Sequence, residues 1–147
     1  MSRIISFRGQ IANGEQDIVV LHTNTGSTGY RMKKLQAIDG LPGNPPGATD
    51  VELICKIYKI EQTTIDGVVD FSDNRLLGVV YYQGGNISTE QNASTIIFDN
   101  EIFNQDIYVT MNITGTSLGN YYIELEQMPL DLNENTVATL KDIRNKA

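Results

Sequence analysis

Ser117 lies in a stretch that matches a catalytic motif. Residues 115–119 fit the G-x-S-x-G pattern, in which a sharp turn between a strand and a helix exposes a nucleophilic serine. In that fold the chemistry needs a histidine base later in the chain, but the only histidine, His22, comes far before Ser117. Segments with the pattern of strands flank the motif on both sides. The sequence therefore predicts a loop at Ser117, no catalytic residue, and a protein that is not an enzyme.

The sequence also gives little support for metal or thiol chemistry. His22 and Cys55 are the only histidine and the only cysteine, too few for a zinc site within one chain. Cys55 lies in the most apolar segment, which predicts an inert thiol in the core. The loop containing Asp66, Asp70 and Asp73 has the oxygen ligands that calcium prefers, but not the spacing of a known calcium loop. We expect turn chemistry there and no cofactor, and leave open whether calcium binds near Asp70 and Asp73.

The charge of the chain argues against two classes of partner. Eleven basic and 18 acidic side chains give a formal net charge of −7, which repels nucleic acid and anionic lipid. The charge is uneven: residues 1–48 sum to +2, residues 49–140 to −11 and residues 141–147 to +2. No long apolar run suggests a signal peptide or a membrane span. We therefore expect synthesis and folding in a cytoplasm, with neither nucleic acid nor membrane as partner.

Period-2 alternation of apolar and polar residues is the main structural signal, because successive side chains of a strand point to opposite faces of a sheet. Between residues 106 and 114, for example, Ile107, Val109, Met111 and Ile113 share one face. The pattern predicts eight strands, at residues 3–9, 16–23, 29–38, 51–60, 76–83, 94–98, 106–114 and 121–128. The last two are predicted to form an antiparallel hairpin, and the segment 51–60, apolar on both faces, is predicted to lie centrally.

Many short strands with frequent turn signals predict one all-β domain over residues 1–147. We expect an antiparallel two-sheet sandwich of jelly-roll or immunoglobulin-like topology, between which the sequence does not choose. A short helix is predicted over residues 135–147, where Val137, Leu140 and Ile143 recur at helical spacing. Two tyrosine pairs, Tyr81–Tyr82 and Tyr121–Tyr122, each place one ring on either face of a strand, where it can pack or bind a partner or a sugar.

Five stretches resemble a group of small proteins encoded by marine tailed bacteriophages. They are SRIISFRG (2–9), VDFSDNRLLGV (69–79), IIFDNEIFNQDIYVT (96–110), YYIELE (121–126) and TVATLKDIRN (136–145). The resemblance spans nearly the whole chain. It implies a part of the virion, such as a capsid decoration (cement) protein, and it supplies no catalytic residues.

The function expected from this resemblance is binding to the outside of a phage head, where the protein would stabilise the shell. The expected partner is the major capsid protein, with a homotrimer on the capsid as an option. The segments 1–8 and 135–147 are predicted to dock, through Arg3, Ile4, Ile5, Phe7, Arg8, Leu140, Lys141, Ile143 and Arg144. The alternatives are a carbohydrate- or receptor-binding module of a tail fibre that uses Tyr81 and Tyr82, and a head–tail connector or tail-tube subunit.

Overall fold

The computed structural model describes residues 3–23, 26–40, 50–85, 92–98, 101–114 and 118–131. These residues form an all-β structure, as predicted. The strands are β1 (Arg3–Ile11), β2 (Glu15–Val19), β3 (Thr28–Asp39), β4 (Asp50–Tyr58), β5 (Leu76–Gly85), β6 (Asn92–Ile97), β7 (Ile102–Phe103), β8 (Ile107–Ile113) and β9 (Gly119–Pro129). Each of the eight predicted strands overlaps one of them, whereas the two-residue β7 was not predicted. The helix predicted over residues 135–147 lies outside the described residues.

The strands form two antiparallel sheets that pack as a sandwich. The first sheet has the order β1-β9-β3-β7, and the second has the order β2-β8-β4-β5-β6. The pairing is nested: β1 pairs with β9, β2 with β8, β3 with β7 and β4 with β5. The chain therefore crosses from one sheet to the other at most of its connections.

The predicted hairpin of residues 106–114 and 121–128 is wrong. β8 lies in the second sheet and β9 in the first, so the two strands are not hydrogen-bonded neighbours. The apolar rows were assigned correctly, since Val109 and Met111 of β8 and Ile123 and Leu125 of β9 are fully buried. These rows meet across the core from opposite sheets, an arrangement that alternation alone does not distinguish from a hairpin.

β4 is the central strand of the second sheet, as predicted from its two apolar faces. Leu53, Cys55 and Ile57 point into the core and are completely buried. On the opposite face, the segment 59–75 between β4 and β5 covers the strand, so that Lys56 and Tyr58 are buried too. The second sheet thus has a covered outer face at its centre.

The two sheets differ in how far they extend on one side of the sandwich. β7 pairs with β3 only at Tyr30 and Arg31, and within the described residues nothing pairs with that side of β3 from residue 33 to residue 38. The second sheet continues on the same side with β6, which pairs with β5 over six residues. A cleft between the sheets opens where β7 is missing.

Candidate functional site

Of the two residues that suggested catalysis, the structure describes His22. Ser117 lies outside the described residues. His22 follows the end of β2, where its Nδ1 lies 2.7 Å from Oδ1 of Asp106 and its side chain is half exposed. The same oxygen accepts the backbone N–H groups of Leu21 and His22, at 2.8 and 3.0 Å. Burial opposes the charge on Asp106, but these hydrogen bonds outweigh it and lower the pKa of the carboxyl.

The hydrogen bonds to Asp106 also explain why β2 ends earlier than predicted. The sequence places a strand over residues 16–23, but the ladder of β2 with β8 stops at Val19. The amides of Leu21 and His22 donate to a carboxylate instead of a neighbouring strand. His22 thus lies beyond the strand, where the Asp106 carboxylate accepts its backbone N–H and that of Leu21.

Cys55 is placed where the sequence predicted it, in the core. It is completely buried in the middle of β4, and this burial raises the pKa of its thiol to about 12. A thiol with that pKa carries almost no thiolate at neutral pH, and thiolate is the reactive form. Cys55 is thus a packing residue in the folded chain.

The three aspartates of the acidic loop have separate partners. Asp66 accepts from the Lys56 ammonium at 3.3 Å, and Asp70 accepts from the side chain and backbone of Ser72, at 2.6 and 2.9 Å. Asp73 binds the guanidinium of Arg75 through two hydrogen bonds of 2.8 and 2.7 Å. In the part of the chain that the structure describes, no group of three acidic, histidine or cysteine side chains converges as metal ligands would.

Two buried lysines hold the segment that carries those aspartates. The Lys56 ammonium donates to the carbonyl oxygen of Val68 at 2.6 Å and lies 5.6 Å from the centre of the Tyr58 ring. At the end of β4, the Lys59 ammonium lies 2.6 Å from Oε2 of Glu101. Both side chains are only 4% exposed. Sequence analysis missed this role, although a lysine within an apolar strand was a signal for it.

Part of this anchored segment forms an exposed apolar surface. Val68 and Phe71 are 66% and 58% exposed, and Val69 is exposed too. The Phe71 ring makes an edge-to-face contact with Phe98, at a centroid distance of 5.2 Å. Ile96, two residues before Phe98, adds a further exposed apolar side chain. We call these five residues the apolar loop patch.

Residues 3–8 of the segment that was predicted to dock belong to a strand. β1 is an edge strand of the first sheet and pairs with β9 along its whole length. Arg3, Ile4 and Arg8 are exposed, and Arg3 donates to the Gln127 side chain at 2.7 Å. In contrast, side chains at positions 5 and 7 are half-buried against the core.

The remaining partner-binding residues were predicted in the C-terminal segment. Leu140, Lys141, Ile143 and Arg144 lie outside the described residues. The predicted docking role of the two ends therefore stays a prediction, and within β1 the side chains at positions 3, 4 and 8 are the accessible ones.

Tyr81 and Tyr82 do not form a common platform for a sugar. Tyr82 points into the core and is 5% exposed, whereas Tyr81 lies on the outer face, with its hydroxyl 3.4 Å from Oε1 of Glu52. Neighbours on a strand point in opposite directions, so the two rings cannot share one surface. The Tyr82 hydroxyl is one of two buried side-chain polar atoms found without a hydrogen-bond partner among the described residues.

The cleft between the sheets has a volume of about 830 Å³. On the first sheet its wall includes Gly9 and Ala37, which lie on either side of Tyr121 in one row. On the second sheet the wall includes Val80 and Tyr82 of β5, next to Ala93 and Thr95 of β6. The volume falls in the range of ligand-binding sites, about 300–1,000 Å³.

The small side chains of this row explain why the cleft exists. Gly9 has no side chain, and a Cβ atom there would lie 2.7 Å from Cε2 of Tyr121, so the tyrosine ring leans over β1. In that position the Tyr121 hydroxyl lies 3.3 Å from Oδ2 of Asp17 on β2. The space above Ala37 is left unfilled. The cleft was not predicted from the sequence, because small residues such as Gly9 and Ala37 do not indicate which residues of the other sheet lie opposite them.

In the described ranges there is no helix of the length and apolar character needed to span a membrane. Comparison with known proteins found no matching protein-family model and no matching curated protein.

Proposed function

We propose that this chain is a structural protein of a phage virion that decorates the capsid and acts by binding rather than by catalysis. The observation that carries the proposal is the apolar loop patch. Single exposed apolar residues are common on protein surfaces, but two valines and a phenylalanine in one segment, with the Phe71 ring against Phe98, indicate a binding surface.

The way the patch is held supports a docking role. Lys56 fastens the segment 59–75 to the sheet through Val68 and Asp66. The Arg75–Asp73 pair fixes its end. A surface that is ordered before it meets a partner loses less conformational entropy on binding. Phe71, the largest exposed side chain of the patch, is of the aromatic type that often dominates the energy of interfaces.

The nested strand pairing supports a jelly-roll assignment within the sandwich class. Without β6, each sheet has four of the eight remaining described strands. β1 pairs with β9, β2 with β8, β3 with β7 and β4 with β5. Jelly rolls are frequent in viral capsid proteins and lectins. This assignment is compatible with the bacteriophage resemblance, and a fold alone does not fix a function.

The test is binding to shells assembled from the major capsid protein of the encoding phage. The wild-type protein should co-sediment with the shells and saturate at a fixed copy number per hexamer. The variant Phe71→Ser should weaken binding about 30-fold, the effect of losing about 2 kcal/mol at an aromatic anchor. Ile18→Ser is the matched control, because Ile18 is about half exposed on β2, away from the patch.

Three outcomes would overturn the proposal. The protein could fail to bind shells that are otherwise competent for assembly. It could bind with equal affinity in the Phe71→Ser variant. Saturable binding to a glycan array without binding to shells would instead favour the tail-fibre alternative.

A further inference from the structure

The side of β3 that faces away from β9 is an open strand edge. β7 covers it only at Tyr30 and Arg31, and within the described ranges residues 33–38 have no neighbour there. An uncovered edge presents unpaired N–H and C=O groups to any extended chain, and natural proteins usually block such edges. A register shift between Met32 and Lys34 bends this strand, but four more residues follow before Asp39.

The open edge borders the inter-sheet cleft. Leu35 and Met32 close one end of the space between the sheets, since a Cβ atom on Gly78 of β5 would lie 3.0 Å from Leu35 and 3.4 Å from Met32. Further along the strand, Ala37 is only half-buried although it belongs to the inward row, and Ala93 and Thr95 of the facing strand β6 are exposed. The space therefore widens from Leu35 towards Ala37.

The charge of this edge is opposite to that of the whole chain. β3 carries Arg31, Lys33 and Lys34 against one carboxylate, Asp39, whereas the protein has a net charge of −7. Lys33 and Lys34 are exposed, and the buried Nε of Arg31 has no hydrogen-bond partner in the described parts of the chain. Glu126 lies 3.6 Å from the Arg31 guanidinium, through Nη1. The strand thus offers three cations to an acidic partner, and two of them already lie opposite carboxylates of β9, Arg31 opposite Glu126 and Lys34 opposite Glu124.

We propose that residues 33–38 of β3 bind an extended acidic segment of a partner protein, which adds to the first sheet as a strand in the place that β7 leaves open. The backbone of the segment pairs with the edge of β3. Its alternate apolar side chains enter the cleft above Ala37, and its carboxylates face Arg31, Lys33 and Lys34. This is the strand-addition mode of recognition, in which backbone hydrogen bonds give affinity and side-chain pockets give specificity. The site is separate from the apolar loop patch and does not depend on capsid binding.

The test uses a capped seven-residue peptide in which valine alternates with glutamate or aspartate, titrated into the full chain labelled with nitrogen-15. We expect saturable binding with a Kd below about 1 mM. The amide shifts should concentrate in residues 33–38 and at Ala93 and Thr95. A peptide of the same composition with its valines grouped together, and one with lysine in place of the acids, should each bind at least about tenfold more weakly.

Matched variants locate the site. Lys33→Glu combined with Lys34→Glu should weaken binding about tenfold or more, since two favourable charge contacts become repulsive. Arg3→Glu makes one such charge reversal on β1, at the opposite edge of the same sheet and outside the lining of the cleft, and should leave affinity within about twofold. Ala93→Leu narrows the cleft from its exposed wall and should weaken binding without unfolding the domain, as checked by circular dichroism.

The proposal is overturned if the peptide gives no shifts at about 1 mM. It is also overturned if the shifts map to β1, or if the β1 variant loses as much affinity as the β3 variant. Binding of a small apolar molecule in the cleft, without any binding of the alternating peptide, would show that the cavity serves a different class of ligand.

Discussion

The ammonium of Lys56 lies 2.6 Å from the carbonyl oxygen of Val68. This contact joins the centre of the second sheet to the segment that carries the apolar loop patch. Lys56 is almost fully buried, and its second partner is a carboxylate that is half exposed, Asp66. The position of the patch thus depends on one buried cation and the two oxygens that it reaches.

Lys56 is buried and Asp66 is half exposed, so replacing one or the other should change the free energy of unfolding by different amounts. Asp66→Ala leaves a buried cation with one acceptor and should lower the free energy of unfolding by about 1–3 kcal/mol. Lys56→Met removes the charge and retains an apolar side chain. The Asp66 carboxylate and the Val68 carbonyl can then bind water, so the loss in free energy of unfolding should be smaller than in Asp66→Ala. Urea denaturation of both variants measures the difference. A larger loss in Lys56→Met would contradict this explanation.

The Asp73–Arg75 pair should make stability depend on acid pH. Its hydrogen bonds with the Arg75 side chain hold the pKa of Asp73 below the ordinary 3.8. A carboxyl with a lowered folded-state pKa contributes stability that is fully present above 3.8 and is lost as the pH falls through the folded-state value. Asp73→Asn should therefore cost about 0.5–1.5 kcal/mol at pH 7, because the pair is partly exposed, and progressively less as the pH falls below 3.8.

Urea titrations between pH 2 and pH 7 test this dependence. Glu61→Gln removes one exposed carboxylate and serves as the control for net charge. A constant difference between wild type and Asp73→Asn over this range would show that the pair contributes no linked protonation.

The buried hydroxyl of Tyr82 should be dispensable. It has no hydrogen-bond partner among the described residues, and burial, followed by the charge of Asp39, raises its pKa. Tyr82→Phe removes an unsatisfied polar group and keeps the ring, so the free energy of unfolding should stay the same or rise by up to about 1 kcal/mol. Tyr121→Phe, which removes a bonded hydroxyl, should instead cost about 0.5–1.5 kcal/mol. A clear loss of stability in Tyr82→Phe would reveal an unrecognised partner.

Gly9 is required because the Tyr121 ring lies over it. In Gly9→Ala the new methyl would meet ring atoms at 2.7–2.9 Å, and the variant should lose about 1–3 kcal/mol of stability. Ser6→Ala, an exposed change in the same strand, is the control. Burial, together with the charge of Asp17, raises the pKa of Tyr121 to about 12. Spectroscopic titration at alkaline pH should show a phenol that ionises late in the wild type and earlier in Gly9→Ala.

Alternation in the sequence predicted the strands well because most of them bury a single face. It also identified β4 as central, since Ile54 and Tyr58 make its second face apolar. It did not predict which sheet a strand joins. β8 and β9 both bury one row of side chains, and that row looks the same in a hairpin as in two facing sheets.

The candidate sites were less predictable than the strands, because they depend on an uncovered strand edge and on contacts between residues of different elements. β7 has two residues, too few for any period, so the open edge of β3 could not be foreseen. Lys56 could not be assigned to Val68 and Asp66 without the path of the segment between β4 and β5. Val68, Val69 and Phe71 are apolar residues within a turn-rich segment of the sequence. This pattern could have predicted the apolar loop patch.

The position of β9 has a consequence for synthesis on the ribosome. β9 lies between β1 and β3, and it is the only described strand that hydrogen-bonds to β1. The first sheet cannot assemble until about residue 129 has left the exit tunnel. β1 therefore remains unpaired with β9 while nearly the whole chain is translated. During that interval the nascent polypeptide exposes unpaired strands, and we expect a requirement for chaperones that bind the emerging chain until β9 has been synthesised.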